Sequence, residues 1–362
     1  MPARWTRPMA WGRHITAFVV ALLLLLTARQ IWPYADVHNP VVQDGMDVDL
    51  LIGDLGGPTC MDWVDNDTML ICDRDGGRIL LLPLTYDGDW QAGDTETWLD
   101  GLDRPHDVAL LGDALIVSEA GRLRSFALDD AGAPAGNGTV LVDGIPTGNH
   151  QTNAVNVLPN GTLVWHSGST CNVCEEADER NAALLWVNAT TGEHGVLASG
   201  VRNSFDGTWV DGLGYLFSDN GRDWEGDHPP EEVNLLLEGA NYGWPDDAPE
   251  TPVPEGSEAP VATWTPHSSL NGLAHRPGTS SLPGGNHTVY ATVYGSWNSI
   301  VPVGHEILRI DFTQDENGLW SGATSVFASD LGTPLPIVFH PNGDLFYATF
   351  GGNGRVHVIT AS

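Results

Sequence analysis

After residue 40 one short pattern occurs six times, and it limits the chain to few architectures. A turn precedes a short run of apolar and β-branched side chains, and a second polar turn then precedes another apolar run. The first runs begin at Asp67, Gly112, Gly161, Gly214, Asn286 and Gly343. Their matching apolar positions are Leu70, Leu115, Val164, Leu216, Tyr290 and Phe346, separated by 45, 49, 52, 74 and 56 residues. The second runs begin at Arg78, Leu123, Leu184, Val233, Glu306 and Arg355. A repeat of about 40–50 residues with several short strands per unit marks a β-propeller, whose units bury their apolar faces only against one another. No stretch after residue 40 sustains helical periodicity, so the helices of a parallel α/β fold are missing. The reading is all-β: a six-bladed β-propeller of four-stranded antiparallel blades over residues 41–362, preceded by a separate segment, residues 1–40. The excess length of the fourth step falls at residues 222–264, rich in Pro, Gly, Asp and Glu. That composition predicts a long loop on a rigid scaffold, where function usually sits.

Composition narrows the partner classes. The 362 residues carry 47 acidic and 15 basic side chains, a formal charge of −32, and every basic residue is Arg. Nucleic acid and anionic lipid are not expected partners, because phosphate neutralisation needs basic side chains. A hydrophobic fraction of 41% with 14 Trp argues for a packed chain. An acid-rich chain without Lys suits high salt, where screening removes most of the self-repulsion, and points to a halophile.

Arg4, Arg7 and Arg13 precede an apolar run from Ile15 to Ala28. This is the pattern of an export signal, and it is shorter than the roughly 20 residues of a membrane-spanning helix. No small-residue cleavage site stands out, so residues 1–40 are expected to be an export signal or to stay as a membrane anchor. An extracellular or cell-surface location follows. Five Asn-x-Ser/Thr sequons, at Asn66, Asn137, Asn160, Asn188 and Asn286, agree with it. The four cysteines form two close pairs. Cys60 and Cys72 fall opposite each other if their segments form a hairpin centred on Asn66, and Cys171 and Cys174 make a C-x-x-C in a polar loop. Outside the cell two disulfides are expected.

Few residues offer chemistry. His150 precedes the inner strand of one blade, and a histidine can take a proton near neutrality. Arg202 and Asn203 hold the equivalent place one blade later, which puts all three at one mouth of the tunnel. An Arg beside an Asn presents a fork and an amide to an anionic or polyhydroxyl ligand. The run from Asp219 to Asn234 then mixes carboxylates, amides and a glycine, hard oxygen donors of the kind that suit Ca²⁺.

Several stretches together resemble the glucose/sorbosone dehydrogenase family of pyrroloquinoline quinone (PQQ)-dependent six-bladed propellers. They are residues 169–176, 200–204, 219–234, Asn241-Tyr242-Gly243-Trp244-Pro245 and Tyr294-Gly295-Ser296-Trp297-Asn298, with Pro105-His106-Asp107 in an early blade. The resemblance covers roughly residues 50–360. It implies that His150 is the general base in sugar or polyol oxidation, taking the hydroxyl proton as hydride moves to the quinone. It implies that Arg202 and Asn203 face cofactor and substrate, and that Asn220 contacts the cofactor. Gly221 and Arg222 would offer backbone carbonyls to a Ca²⁺ ion, and Glu231 and Glu232 match an acidic pair of a nearby metal-binding segment. Such a metal would act as a Lewis acid beside a cofactor that carries the redox chemistry. The chain departs from the family in its cations: Ser299 and Thr333 stand where relatives carry basic residues. Arg222, Arg276 and Arg104 are then the candidates to pair with cofactor carboxylates. Two other function classes stay open at this level: a Ca²⁺-dependent lactonase that needs no quinone, and a non-catalytic propeller that binds glycans or proteins.

Overall fold

The computed structural model describes residues 11–31, 39–296, 301–351 and 353–362. From residue 41 onward the described chain is a six-bladed β-propeller of antiparallel sheets. The inner strands, in chain order, are Pro58–Asp65, Asp107–Leu111, Thr152–Val157, Gly207–Val210, Leu270–His275 and Pro334–Phe339. The second strands are Thr68–Asp73, Ala114–Glu119, Leu163–Ser167, Gly214–Asp219, Thr288–Val293 and Leu345–Thr349. Every matching apolar position read from the repeat lies in a second strand and is fully buried.

The hydrophobic core of the described residues is divided into six clusters, one at each junction between neighbouring blades. Leu70, Val164, Leu216, Tyr290 and Phe346 each face the following blade. Blade 2 corrects the alignment by one residue. Leu115 packs back toward blade 1, and Ile116 is the residue that faces blade 3. Side chains alternate along a strand, so a slip of one position changes which neighbour is met. Burying each such side chain contributes roughly 1.5–3 kcal/mol.

Ring closure is the feature the repeat does not reveal. Met46–Ile52 pairs antiparallel with Arg355–Ala361 and forms the outer strand of blade 6, so the beginning of the domain completes its last blade. Val41–Val42 adds in the same way to the edge of blade 5, against Trp320–Ser329. The long loop in blade 4 precedes its short outer strand, Ala262–Trp264.

Both expected disulfides are present. Cys60 lies directly opposite Cys72 across the first hairpin, with a Cα–Cα distance of 5.0 Å, and Cys171 is bonded to Cys174. The five sequon asparagines are all exposed, in turns or at strand ends. An α-helix, Trp11–Ile31, covers the apolar run from Ile15 to Ala28, while Arg4, Arg7 and the stretch 32–38 lie outside the described residues. Among the described residues no helix is long and apolar enough to cross a membrane.

Candidate active site

The turns that lead into the inner strands all open on one face, together with the turns that leave the second strands. That geometry gathers residues from blades 3, 4 and 5. A cavity of about 490 Å³ is lined by His150, Arg202, Asn203, Asn220, Gly221 and Glu231, among others. A neighbouring cavity of about 380 Å³ shares His150, Asn203 and Asn220 and extends toward Arg74 and Arg104 in the turns of blades 1 and 2. Residues from four separate stretches of the sequence thus meet at this face.

His150 is held in a defined chemical form. Its Nδ1 lies 2.9 Å from Ser169 Oγ, and that hydroxyl donates its single hydrogen to the Cys171 carbonyl at 2.8 Å. A carbonyl cannot donate, so both contacts are satisfied only when His150 carries its proton on Nδ1. Nε2 then has a free lone pair, and no partner meets it among the described residues. Burial, and after it the charge of Arg202, lowers the His150 pKa to about 3, so the ring is neutral at physiological pH. The turn comes this close because of two glycines. A Cβ on Gly168 would sit 2.6 Å from the His150 Cβ, and one on Gly148 would sit 2.0 Å from the Thr170 carbonyl oxygen.

Arg202 is only 4% exposed and its guanidinium is largely committed. Nε and NH2 donate to the backbone and side-chain oxygens of Asn172 at 3.2 and 2.9 Å. NH1 donates to the Asn220 carbonyl at 3.0 Å, and NH2 also meets the Asp223 carboxylate at 3.2 Å. Arg202 therefore braces the cavity wall as well as lining it. Asn203 accepts from Asn153 through its side-chain oxygen, and Asn220 donates to the Leu270 carbonyl at 2.6 Å.

The expected metal-binding set divides. Gly221 and Glu231 line the cavity. Glu231 is 2% exposed; its Oε1 accepts the Ser269 N–H at 3.1 Å, and its buried Oε2 has no hydrogen-bond partner. Burial raises its pKa to about 7. Glu232, next along the same strand, is not among the cavity's lining residues and bonds Asn234 at 3.1 Å. Consecutive residues of a strand point to opposite faces, which separates the two acids. The Arg222 side chain also turns elsewhere, with NH2 donating to Asp247 and to the Pro245 carbonyl, each at 2.7 Å. Arg276 is bound to the Leu282 and Ser280 carbonyls beyond the far end of an inner strand. Of the three arginines proposed for cofactor carboxylates, Arg104 alone lines the joined cavities. Thr333 is buried and bonds the Phe350 carbonyl, and Ser299 lies outside the described residues.

Three contributors, Asp219, Asn172 and Ser169, lie inside stretches named above but without a role of their own, and a fourth, Arg74, lies outside them. Asp219 had a visible signal. Blades 1, 2 and 4 end their second strands in an acid, namely Asp73, Glu119 and Asp219. Each acid accepts backbone N–H groups from the turn that leads into its own blade: Gly57 for Asp73, Asp103 for Glu119, and both Arg202 and Asn203 for Asp219, at 2.9 and 2.6 Å. This carboxylate is what sets the Arg202–Asn203 turn. Arg74 reaches Gln151, beside His150, at 3.4 Å, and Gln151 donates in turn to the Arg104 carbonyl at 3.3 Å.

Deeper in the tunnel a further cavity of about 410 Å³, sharing Thr59, His106 and Phe205 with the second, is lined by Asp62, Asp107 and Asp206. Its acids accept backbone N–H groups: Trp63 to Asp62, Val155 to Asp107, and Gly207 and Leu273 to Asp206. Asp107 and Asp206 thereby tie neighbouring blades together around the axis, while Asp62 bonds only within its own strand.

No family model matches the chain. A curated protein of Borreliella burgdorferi, described as uncharacterized, is 27% identical over 219 residues, covering 54% of this chain and 56% of its own length. The chain thus spans about half the length of that relative. Solved structures match far more completely. The holo form of the pyranose dehydrogenase PQQ domain from Coprinopsis cinerea superimposes with a TM-score of 0.76 at 18% identity, over 89% of this chain and 97% of that one. The calcium structure of a Trichoderma reesei carbohydrate-active enzyme of family AA12 gives 0.77 at 17% identity, over 91% and 98%. The PQQ-bound aldose sugar dehydrogenase of Streptomyces coelicolor gives 0.67 at 18% identity, over 88% and 99%. At these identities the likeness establishes the six-bladed fold.

Proposed function

We propose that the protein is a sugar or polyol dehydrogenase that uses PQQ and Ca²⁺ in the cavity between His150 and Glu231. The observation that carries this reading is the pairing of two unmet needs in one cavity. His150 presents a free, neutral Nε2, and Glu231 presents a buried carboxylate oxygen without a partner. The first is an unprotonated acceptor in place for a hydroxyl proton, its basicity lowered by burial, and the second suits a hard divalent cation. The named activities of the similar structures, pyranose and aldose sugar dehydrogenases in PQQ-bound forms and a calcium-bound enzyme, support it.

The residues present fit the cofactor. Glu231 and the Gly221 turn would hold the cation. Arg74 and Arg104 would face the carboxylates of the quinone from the rim, and the amides of Asn149 and Asn203 would add neutral hydrogen bonds. When bound, the quinone supplies the hydride acceptor. His150 Nε2 takes the hydroxyl proton as the C–H bond of the carbinol carbon breaks and the carbonyl forms. The Ser169 hydroxyl and Cys171 carbonyl hold the ring in the tautomer that leaves Nε2 unprotonated, and the Nδ1–H contact persists when the ring becomes cationic. Burial, and after it the charge of Arg202 fixed behind the wall, keeps the resting ring neutral.

The test is turnover. Full-length protein loaded with Ca²⁺ and PQQ should reduce an artificial dye on addition of aldoses. Absence of dye reduction across an aldose and polyol panel, with quinone bound, would sink the reading. A second reading has one observation in its favour: Arg74 and Arg104 are each already paired with an adjacent acid, Asp75 at 3.1 Å and Asp103 at 3.2 Å. A Ca²⁺-dependent lactonase would need neither arginine. Hydrolysis of lactones by quinone-free, Ca²⁺-loaded protein would favour it.

We also place the protein outside the cytoplasm as part of this proposal. The basic-then-apolar leader, two disulfides and five exposed sequons support export.

A further inference from the structure

We propose that the Cys171–Cys174 disulfide and the Asn172 it encloses form the positioning clamp of the site, fixing both the tautomer of His150 and the orientation of Arg202. The clamp acts through other residues. Its consequence for turnover rests on the dehydrogenase reading, while the geometry it imposes does not.

Asn172 is a junction. Its carbonyl accepts from Arg202 Nε at 3.2 Å and from Trp244 Nε1 at 3.1 Å. Its side-chain oxygen accepts from Arg202 NH2 and from the Asp223 N–H, both at 2.9 Å, and its side-chain N–H₂ reaches the Asp223 carbonyl at 3.4 Å. One residue of blade 3 thus joins the long loop of blade 4 at two places and holds the arginine between them. Immediately before it, the Cys171 carbonyl takes the Ser169 hydroxyl hydrogen, which obliges His150 to protonate at Nδ1. Thr170, between Ser169 and Cys171, is anchored separately: its N–H and hydroxyl both bond the Glu176 carboxylate, at 2.6 and 2.7 Å.

The size of the covalent ring points to local rather than global duty. Cross-links that close short loops remove little entropy from the unfolded chain, and this one spans a sequence separation of only 3. What it restricts is the direction of the Cys171 carbonyl and of both Asn172 oxygens, the acceptors the site uses. The other disulfide differs on each count. Cys60 and Cys72 are buried, lie across a strand pair and touch none of these residues. Cys171 and Cys174 are half-buried, so a mild reductant reaches them first.

The test reads the His150 ring directly. Full-length protein labelled with ¹⁵N-histidine is followed by ring ¹H–¹⁵N spectra at pH 7, with His150→Gln assigning the signal. The oxidised protein should show a single Nδ1–H tautomer. Mild reduction that liberates two thiols, with the far-ultraviolet circular dichroism unchanged, should turn that signal into a mixture of tautomers. A Cys171→Ser/Cys174→Ser double variant should reproduce it. An unchanged His150 signal with two thiols titrated would overturn the proposal. Because reduction is performed on folded protein, a variant that fails to fold does not block the test. In turnover, Asn172→Leu should lower kcat at least tenfold with KM within about twofold, and Asn172→Asp, which keeps the acceptor oxygen, should recover most of it. Equal loss in both would also contradict the clamp. If no aldose is oxidised by wild-type protein, the dehydrogenase reading fails while the tautomer result still decides this one.

Discussion

Blade 4 and blades 1 and 2 start from the same device and use it differently. In all three an acid ends the second strand and caps the turn into the blade. In blades 1 and 2 an arginine neutralises it: Arg78 pairs with Asp73 at 2.8 Å, and Arg124 makes a two-pronged pair with Glu119. In blade 4 the strand partner of Asp219 is Glu232, where blade 1 has Arg78 opposite Asp73. Burial raises Asp219 to about 7, and burial with the charge of Asp219 raises Glu232 to about 8. Where blades 1 and 2 set an arginine on the sheet against the acid, blade 4 leaves Arg202, across the turn, to offset Asp219, and that departure marks where another demand is served. Blade 4 is also the blade that carries Arg202, Asn220, Gly221 and Glu231.

The contrast can be broken at both ends. The largest effect belongs to the reacting side chain: His150→Gln should lower turnover by about 10²–10⁴-fold, the usual contribution of a general base, with the thermal unfolding midpoint nearly unchanged. Arg124→Ala should do the reverse. It strands a buried carboxylate, which costs roughly 3–5 kcal/mol when a buried pair is broken, and should lower the midpoint clearly while leaving the rate per folded molecule intact. A rate loss from Arg124→Ala as large as that from His150→Gln would erase the distinction between the blades.

Smaller effects sharpen it. Glu231→Gln should weaken Ca²⁺ binding by about tenfold or more, measured by calorimetry without quinone, and should flatten its pH dependence. The sign follows from the raised pKa of about 7: the cation competes with a proton, so wild-type affinity climbs with pH up to about 7 and levels above it. Glu232→Gln should act on stability in the metal-free protein. The folded-state pKa of Glu232 lies above its ordinary 4.5, so the folded state holds this proton longer than the unfolded state. Its contribution is fully present below about 4.5 and is lost as pH rises through about 8. The variant should therefore gain on wild type in urea-unfolding free energy between those limits, and a constant difference across them would count against the assignment. Least of all, Arg74→Ala and Arg104→Ala should each weaken PQQ binding only a few-fold, as suits half-exposed ion pairs.

How much of this was legible depends on the range of the interaction. The six second strands were readable because apolar alternation is local, and the single slip, Leu115 for Ile116, arose where two adjacent buried residues look alike. His150, Arg202 and Asn203 meet because equivalent turns of a repeat share a face, whereas Asn220, Gly221 and Glu231, which line the same cavity, were singled out only by the family resemblance. The inclusion of Glu232 conflicts with strand alternation, which was available from its place beside Glu231. Closure by Met46–Ile52 had no local signal, since the pairing joins the two ends of the domain. The same holds for Asn172, whose partners lie 30, 51 and 72 residues away. Ser169 stood inside a quoted motif, but its effect on the His150 tautomer exists only in three dimensions.

In the proposed function, blade 4 supplies a cation site and blades 1 and 2 a cationic rim for one anionic quinone beside His150. Calorimetric titration of PQQ into the full-length protein, with and without Ca²⁺, tests it most directly. Binding should be stoichiometric, should require Ca²⁺, should be strongly reduced by Glu231→Gln, and should be weakened to a lesser degree by the double variant Arg74→Ala/Arg104→Ala. Folded, Ca²⁺-loaded protein that takes up no PQQ would contradict it.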